Sequence, residues 1–306
     1  MNEIITRNPH NNEVPLLHTI WGNVFGTTGM DIFFSHFFKP DLCIVAEYNS
    51  IPVAAGYLIP FGCLQFNVNN NIHTPCAMIY SVATLPQYRG MGLGTSVVNS
   101  LMKTARSSGY PAVVLSPQED GLFEYYSNRT GLFDFFYVNE LVIRNKPSDI
   151  YLDLPEPVEL NASDYNKIRE SLLNEIIHIK HDLHVLEYQE MLCREVGGGL
   201  FKIGEICIIV ERQSDDVIWL KELLSPFRET DEVSFYTFAA GVVSVISGLF
   251  PADEYIVRFP SISNKENFKS RRFGMLVLED AVLDKSLPVS LLNNIKYSPW
   301  YGMAFD

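Results

Sequence analysis

The sequence lacks the features that mark several common classes of protein. No apolar run among its 306 residues reaches the roughly 18 residues that a membrane-spanning helix needs. Its first residues, Met1-Asn2-Glu3, begin no signal peptide. The five cysteines show no Cys-x-x-Cys spacing, so neither a disulfide framework nor a zinc site is indicated. We therefore expect a cytoplasmic protein with buried free thiols and no membrane partner.

Positive charge is also scarce. Lys and Arg number 23 against 36 Asp and Glu, which gives a formal net charge of −13. Proteins bind the phosphates of nucleic acids with clustered Lys and Arg, so we expect no nucleic-acid partner. A cationic substrate fits this charge better, because an acidic surface attracts cations over a distance. The length favours two domains, each with a core of its own.

A glycine-rich turn is the most informative segment of the chain. Gly90, Gly92 and Gly94 follow the apolar run 77–83, and they allow the backbone to approach a ligand and direct several N–H groups at one anion. Apolar residues at roughly 3.6-residue spacing predict a helix from about Gly92, whose free N–H groups face the same anion. No acid lies between Pro86 and Met102, although helix starts usually attract acids. The turn predicts a phosphate site; a purely structural strand-to-helix turn is the alternative.

Three glycine-rich patterns compete for this turn. The Walker loop needs a lysine before its Ser or Thr, and Gly94-Thr95 has none. A dinucleotide-binding turn needs Gly-x-Gly-x-x-Gly, and the spacing here is different. The third pattern, Gln/Arg-x-x-Gly-x-Gly/Ala after a strand, fits Gln87, Gly90 and Gly92. It resembles motif A of the GNAT superfamily of acyl-CoA-dependent N-acetyltransferases, and the resemblance covers about residues 10–145.

The resemblance implies a ligand and a set of binding residues. In the family, the loop amides hold the pyrophosphate of coenzyme A, and the backbone of the preceding strand binds the pantetheine arm. By position, the strand residues are Val82, Ala83 and Thr84, and the loop residues are Arg89, Gly90, Met91, Gly92, Leu93, Gly94 and Thr95. The implied reaction uses acetyl-CoA as co-substrate, without a metal, and acetylates a primary amine by direct attack. The acceptor, a small molecule or a peptide, is not identified, and a homo-oligomer is compatible with the sequence.

The predicted order of elements agrees with an α/β fold that has a mixed α+β sheet. Antiparallel strands, a crossover helix and a parallel strand, 112–115, follow one another, which is the order in this superfamily. A linker-like segment rich in proline, 146–157, suggests domains 1–147 and 148–306. The second half repeats the order, so we expect a divergent GNAT-like copy, as in the enhanced-intracellular-survival branch. Its segment 225–232 has no glycine and three acids, which would repel pyrophosphate, so we expect no CoA there.

Acetyl transfer also needs an oxyanion contact and a proton for the departing thiolate. Backbone N–H groups near Val82 and Ala83 are candidates for the first. A tyrosine suits the second, because its hydroxyl is protonated at neutral pH. Tyr126 is the first choice and Tyr125 the second; the alternative is that both pack in the core.

The general base is not evident, because residues 78–81 contain no acid. The last segment, 299–306, is too apolar for a frayed tail, and in the branch named above the terminal carboxylate reaches the active site. Asp306 is therefore a candidate base, and Glu119 and Asp120 are alternatives that more often cap a helix. Without a base, the protein would be a non-catalytic acyl-CoA-binding regulator.

A histidine cluster is the remaining candidate site. His178 and His181 could share a helical face near Asp182, but no second cluster supplies further metal ligands. A solvated helix end is the favoured interpretation, so we expect no metal.

Overall fold

The computed structural model describes residues 4–66, 73–144, 152–226, 232–260, 270–279, 297–303 and 305. The chain forms two compact units: unit 1 is Met1–Leu64, His73–Phe135 and Gly274–Ser286, and unit 2 is Gln65–Ile72, Phe136–Phe273 and Leu287–Asp306. The division after Phe135 precedes the expected boundary at residue 147, and a late segment returns to unit 1. The expected boundary was based on the proline-rich composition of one segment. The units, in contrast, are defined by contacts between segments that are distant in the sequence.

Unit 1 is a mixed sheet with helices. Its helices are α1 (Val14–Phe25), α2 (Met30–His36), α3 (Leu93–Ser107) and α4 (Asp120–Thr130). Its strands are β1 (Ile5–Arg7), β2 (Cys43–Tyr48), β3 (Ile51–Gln65), β4 (His73–Thr84) and β5 (Ala112–Leu115), and β6 (Phe133–Arg144) begins here. The strand order is β1-β2-β3-β4-β5, followed by β13 (Arg271–Leu278). β2 and β3 are antiparallel, β4 and β5 are parallel, and Met275–Leu278 of β13 runs antiparallel to β5.

The crossover helix α3 packs one apolar stripe on this sheet. Val97 and Leu101, which are fully buried, belong to the stripe predicted from their spacing. A Cβ on Gly56 of β3 would lie 2.8 Å from Val97 Cγ1 and 3.0 Å from Leu101 Cδ1. A glycine at this position therefore allows the helix to approach the sheet closely.

Unit 2 repeats this crossover. Its helices are α5 (Ala162–Leu172), α6 (Leu183–Glu195) and α7 (Glu232–Ile246). Its strands, besides most of β6, are β7 (Val158–Leu160), β8 (His178–His181), β9 (Gly199–Ile203), β10 (Ile206–Ser214), β11 (Val217–Leu224) and β12 (Glu254–Pro260). The order is β6-β12-β11-β10-β9-β7. β10 and β11 are antiparallel, β11 and β12 are parallel, and α7 connects the parallel pair, as α3 does in unit 1.

Two local predictions for unit 2 were wrong. The apolar segment 200–210 predicts a single strand, whereas the structure has the hairpin β9–β10 there, because Gly204 adopts φ +60° and reverses the chain. His178 and His181 lie on strand β8 and not on a helix. Since successive side chains of a strand alternate between its faces, an offset of three places these two on opposite sides.

A buried ionic cluster joins the helices, the sheet and the C-terminal segment of unit 2. Glu222 on β11 is fully buried. Trp300 Nε1 donates to its Oε1 at 2.6 Å, and the Tyr165 hydroxyl donates to its Oε2 at 2.8 Å. Arg169 Nε donates to both carboxylate oxygens at 3.1 Å. We call Tyr165, Arg169, Glu222 and Trp300 the ionic cluster.

The backbone of the C-terminal segment is attached at the same place. Trp300 N–H donates to the Ile177 carbonyl at 2.7 Å, and Ile179 N–H donates to the Trp300 carbonyl at 3.2 Å. Gly302 adopts φ +79°, and a Cβ there would lie 2.6 Å from Arg169 Nη2. The expected packing of the apolar end of the chain is therefore observed, with Trp300 and Tyr301 fully buried.

Among the described residues, no helix is both long enough and apolar enough to cross a membrane.

Candidate functional site

Strand β4 separates from β5 before it reaches the glycine turn. The two strands pair from Cys76 to Met78, whereas β4 continues to Thr84. Ser81 adopts φ +48°, a left-handed conformation that is rare for a residue with a Cβ and that clusters at functional sites. The backbone beyond the kink, at Val82 and Ala83, lies past the last pair with β5. The residues expected to bind the pantetheine arm and the oxyanion thus lie on an opened strand end.

The glycine turn presents its backbone to solvent. Gly90 and Gly92 both have φ +81°, and a Cβ on Gly90 would have nothing within 4 Å. Met91 is exposed, and Arg89 Nε donates to the Thr84 carbonyl at 3.3 Å. The side chain of Arg89 therefore folds back toward the strand end. The conformation of the turn agrees with the requirement for glycine that the sequence indicated.

Helix α3 begins without a cap. Gly92 is the N-cap residue, no side chain caps the helix, and the first turn contains no acid. The first hydrogen bond of the helix runs from the Ser96 N–H to the Gly92 carbonyl, at 3.0 Å. In the described part of the chain, no acceptor lies opposite the N–H groups of Leu93, Gly94 and Thr95. Three converging N–H groups and the positive end of a helix dipole form a site for an anion.

Tyr125 and Tyr126 have different environments. The Tyr125 hydroxyl lies 2.6 Å from Thr95 Oγ1 in the first turn of α3, and Arg129 lies over its ring at 4.5 Å. Tyr126, the expected acid, is 8% exposed and packs with the α3 stripe. Burial raises the pKa of Tyr126 to about 12. The sequence named both tyrosines as candidate acids but did not indicate which of them reaches the turn.

Two of the candidate bases lie at the start of α4. Glu119 precedes α4 as its N-cap residue and is exposed, as is Asp120. Asp306 lies outside the described residues, and so does 227–231, which includes most of the acidic segment of the second half. The expectations that Asp306 acts as the base and that unit 2 binds no CoA therefore stay predictions.

The histidines of β8 have protein partners. His178 Nδ1 lies 2.7 Å from the Ile176 carbonyl, and its Nε2 lies 3.2 Å from Glu170 Oε2. Within the residues that the structure describes, no group of three or more His, Cys, Asp or Glu is placed to hold a metal ion.

Two features of this region had no signal in the sequence. The positive φ at Ser81 could not be predicted, because serine rarely adopts this conformation. Rings from α1, α2, β3 and β4 form one aromatic cluster, because the fold brings together Trp21, Phe33, Tyr57 and Tyr80. Only the aromatic content of α2 was evident from the sequence.

Comparison with known proteins agrees with this architecture. Residues 14–126 match the model of the acetyltransferase (GNAT) family. A GCN5-related N-acetyltransferase from Kribbella flavida has a TM-score of 0.64 at 13% identity, over 91% of this chain and 72% of that chain. Eis1 from Mycobacterium abscessus has a TM-score of 0.56 at 11% identity, over 90% and 74%. No curated protein sequence matches the chain.

One similar solved structure, a tandem protein, aligns with most of this chain and so with parts of both units. A tandem GNAT protein from the clavulanic acid biosynthesis pathway has a TM-score of 0.54 at 12% identity, over 90% of this chain and 98% of that chain. At such identities the similarity concerns the fold alone. The mixed-sheet fold expected from the order of elements is confirmed, as is its arrangement in two GNAT-like halves.

Proposed function

Because a domain of the GNAT acetyltransferase family occupies residues 14–126, we propose that this protein is an N-acetyltransferase that transfers an acetyl group from acetyl-CoA to a primary amine. The observation that carries the proposal is the uncapped start of α3. Three N–H groups face an open glycine turn there, without an acid in the first turn. The pyrophosphate of coenzyme A supplies the negative charge that such a helix start stabilises.

The remaining binding residues follow from the strand. We assign the pantetheine arm to Val82, Ala83 and Thr84, since this stretch of β4 lies beyond its pairing with β5. A backbone N–H at Val82 or Ala83 is then the donor to the oxyanion that forms during attack. The kink at Ser81 supports this assignment, because it changes the direction of the strand just before these residues.

Bound acetyl-CoA supplies a thioester, whose acetyl carbon forms the new C–N bond with the amine while the C–S bond breaks. Tyr125 is the better placed donor of the proton that the leaving sulfur takes up, because its hydroxyl lies near the end of β4: a Cβ on Gly94 would be 3.9 Å from the Tyr125 hydroxyl and 3.6 Å from Thr84 Oγ1. Tyr126 is buried among apolar side chains and is the alternative donor. The attacking nitrogen loses one proton to a base, for which Asp306 remains our proposal.

A second function is favoured by one observation. Strand β4, His73–Thr84, contains no Asp or Glu, so no carboxylate of this strand can accept the proton of the amine. A regulator that binds acyl-CoA without turnover would have the same turn and the same uncapped helix.

The experiment that tests the proposal compares two glycines at opposite ends of α3. We expect acetyl-CoA to bind the wild type with micromolar Kd in calorimetry. Gly92→Asp should weaken binding by about 100-fold or more, because it places a negative charge where the phosphates lie. Gly109→Asp is the matched control, because Gly109 has a similar φ, +84°; a Cβ there would meet nothing within 4 Å, and a Cβ on Gly92 would meet only Ile4 Cδ1, at the ordinary contact distance of 3.7 Å.

Turnover is measured in the same preparations as release of free CoA thiol with a panel of primary amines. Release with any amine supports the transferase. Binding without release from every amine supports the regulator. No binding at millimolar acetyl-CoA, or equal binding by both variants, contradicts both functions.

A further inference from the structure

The aromatic cluster of unit 1 joins rings from two helices and two strands. Trp21 of α1 stacks on Phe33 of α2 at 4.9 Å between ring centroids. Tyr57 of β3 lies 4.8 Å from Phe33, and Tyr80 of β4 lies 5.7 Å from Trp21 and 5.4 Å from Phe33. Phe34 lies 5.9 Å from both Trp21 and Tyr57. Four separate elements therefore contribute rings to one continuous aromatic surface.

The cluster has a buried layer and a partly exposed layer. Trp21, Phe33 and Tyr57 are at most 3% exposed, whereas Phe34 and Tyr80 are only partly buried. The inner rings hold the outer rings in place, and the outer rings keep faces or edges that a ligand can cover. A flat ring is what such a surface accommodates best, because offset and edge-to-face contacts between rings add to the burial of apolar area.

Two polar atoms of the cluster have no hydrogen-bond partner among the described residues. They are Trp21 Nε1 and the Tyr57 hydroxyl, and both are buried. Buried indole N–H and phenol O–H groups usually bond to an acceptor, and phenylalanine would fill the same space without that requirement.

The cluster adjoins the opened strand end. Tyr80 immediately precedes Ser81, the kinked residue of β4, and both lie beyond the last pair with β5 at Met78. The surface thus ends next to the backbone assigned above to the thioester. A molecule resting on these rings is close to the point of acyl transfer.

The side chains that form the cluster are uncharged: two phenylalanines, two tyrosines and a tryptophan. A polyamine would bring several charges to these rings and would need carboxylates to replace their hydration. A ligand that rests on the cluster is therefore bound through apolar and aromatic surface.

From these observations we infer that the amine acceptor is a monoamine joined to a flat aromatic body, and that Phe34 and Tyr80 determine this specificity. The inference rests on the proposed function and narrows its acceptor from a general cationic amine. The single amino group enters at the strand end, while the ring stacks on the outer layer.

The test measures CoA thiol release by the full-length protein with phenethylamine and, separately, with spermidine. We expect kcat/KM for phenethylamine to exceed that for spermidine by about tenfold or more. A ratio of this size corresponds to the free energy of one contact between aromatic rings. Phe34→Leu and Tyr80→Leu should each raise KM for phenethylamine about tenfold with acetyl-CoA affinity unchanged. Phe133→Leu is the control, since Phe133 is 37% exposed and lies outside the cluster, and it should leave KM unchanged.

The outcomes separate the inference from the function on which it rests. A preference for spermidine, or equal KM values in the wild type, Phe34→Leu and Tyr80→Leu, overturns the inference and leaves the transferase intact. If no amine releases thiol, calorimetry with phenethylamine and CoA decides. Binding that is lost in Phe34→Leu then supports the aromatic site although the transferase fails, and absence of binding overturns the inference as well.

Discussion

At the start of α3 in unit 1, three backbone N–H groups lack acceptors among the described residues, and the turn around them is exposed. In the ionic cluster of unit 2, Glu222 is fully buried and accepts hydrogen bonds from Trp300, Tyr165 and Arg169. Both regions concentrate strong polar groups. In the first, the groups have no partner among the described residues, so that a ligand can pair with them, whereas in the second they are paired within the chain.

The difference follows from desolvation. An unpaired N–H at the surface is solvated by water and exchanges it for a phosphate oxygen at little cost. An unpaired carboxylate in the interior is far more expensive, so its partners have to come from the fold. We therefore expect changes in the ionic cluster to affect stability, and changes at the turn to affect ligand binding and catalysis.

The largest effect is expected from Arg169→Met. It leaves the buried Glu222 carboxylate without its cation and should lower the free energy of unfolding by about 3–5 kcal/mol. Arg194→Met is the control, because Arg194 is 58% exposed in its ion pairs with Glu159 and Glu190, and it should lose less than about 1 kcal/mol. Urea unfolding followed by circular dichroism measures both. Equal losses would show that burial does not distinguish these pairs.

At the turn, Tyr125→Phe should reduce kcat about 100-fold, because it removes the proposed proton donor. Tyr126→Phe should change kcat less than about threefold, because the hydroxyl of Tyr126 is buried against the α3 stripe. Steady-state kinetics at saturating acetyl-CoA compare the two, with unfolding curves to exclude loss of structure. A larger loss in Tyr126→Phe would transfer the role of proton donor to that residue.

A smaller loss is expected from Trp300→Phe. It removes the donor that lies 2.6 Å from Glu222 Oε1 and keeps most of the ring, which should lower the free energy of unfolding by about 1–3 kcal/mol. Trp219→Phe is the matched control, since Trp219 Nε1 has no hydrogen-bond partner among the described residues. Chemical denaturation measures the difference between the two variants. If they were equally stable, the indole N–H of Trp300 would contribute nothing to the cluster.

The smallest effect concerns pH. The hydrogen bond from Arg7 lowers the pKa of Glu13 from its ordinary 4.5 to about 2. A lowered pKa stabilises the folded state above pH 4.5, and this contribution is lost as the pH falls through 2. Glu13→Gln should therefore be less stable than the wild type by about 1–2 kcal/mol at pH 7, a value reduced by the partial exposure of the pair. Denaturation at several pH values should show the gap closing toward pH 2; a constant gap would contradict the assignment.

The elements that were predicted well have local causes. α3 begins within a residue of its expected start and β5 has its expected range, because helical periodicity and short apolar runs are set by neighbours in the chain. The glycine turn was predicted for the same reason, since φ near +80° at Gly90 and Gly92 requires a residue without a Cβ. Repetition of these elements in the second half was sufficient to predict the tandem fold.

Features that depend on distant contacts were not evident from the sequence. The division into units after Phe135 and the return of the chain at Gly274 follow from strand pairing across more than a hundred positions, as between Met275 and Leu115. His178 and His181 were assigned to a helix because their spacing suits one, but β8 makes backbone contacts with Trp300 instead. Tertiary pairing overrides local preference in such short segments.

The sequence by itself determined the turn and the helix that follows it, because glycine and helical periodicity act through the local backbone. Only the tertiary structure decided that Tyr125 reaches the turn while Tyr126 is buried, that β4 kinks at Ser81, and that four elements combine their rings in one cluster. These properties depend on which segments pack together, and side-chain packing is a property of the whole fold and not of sequence spacing.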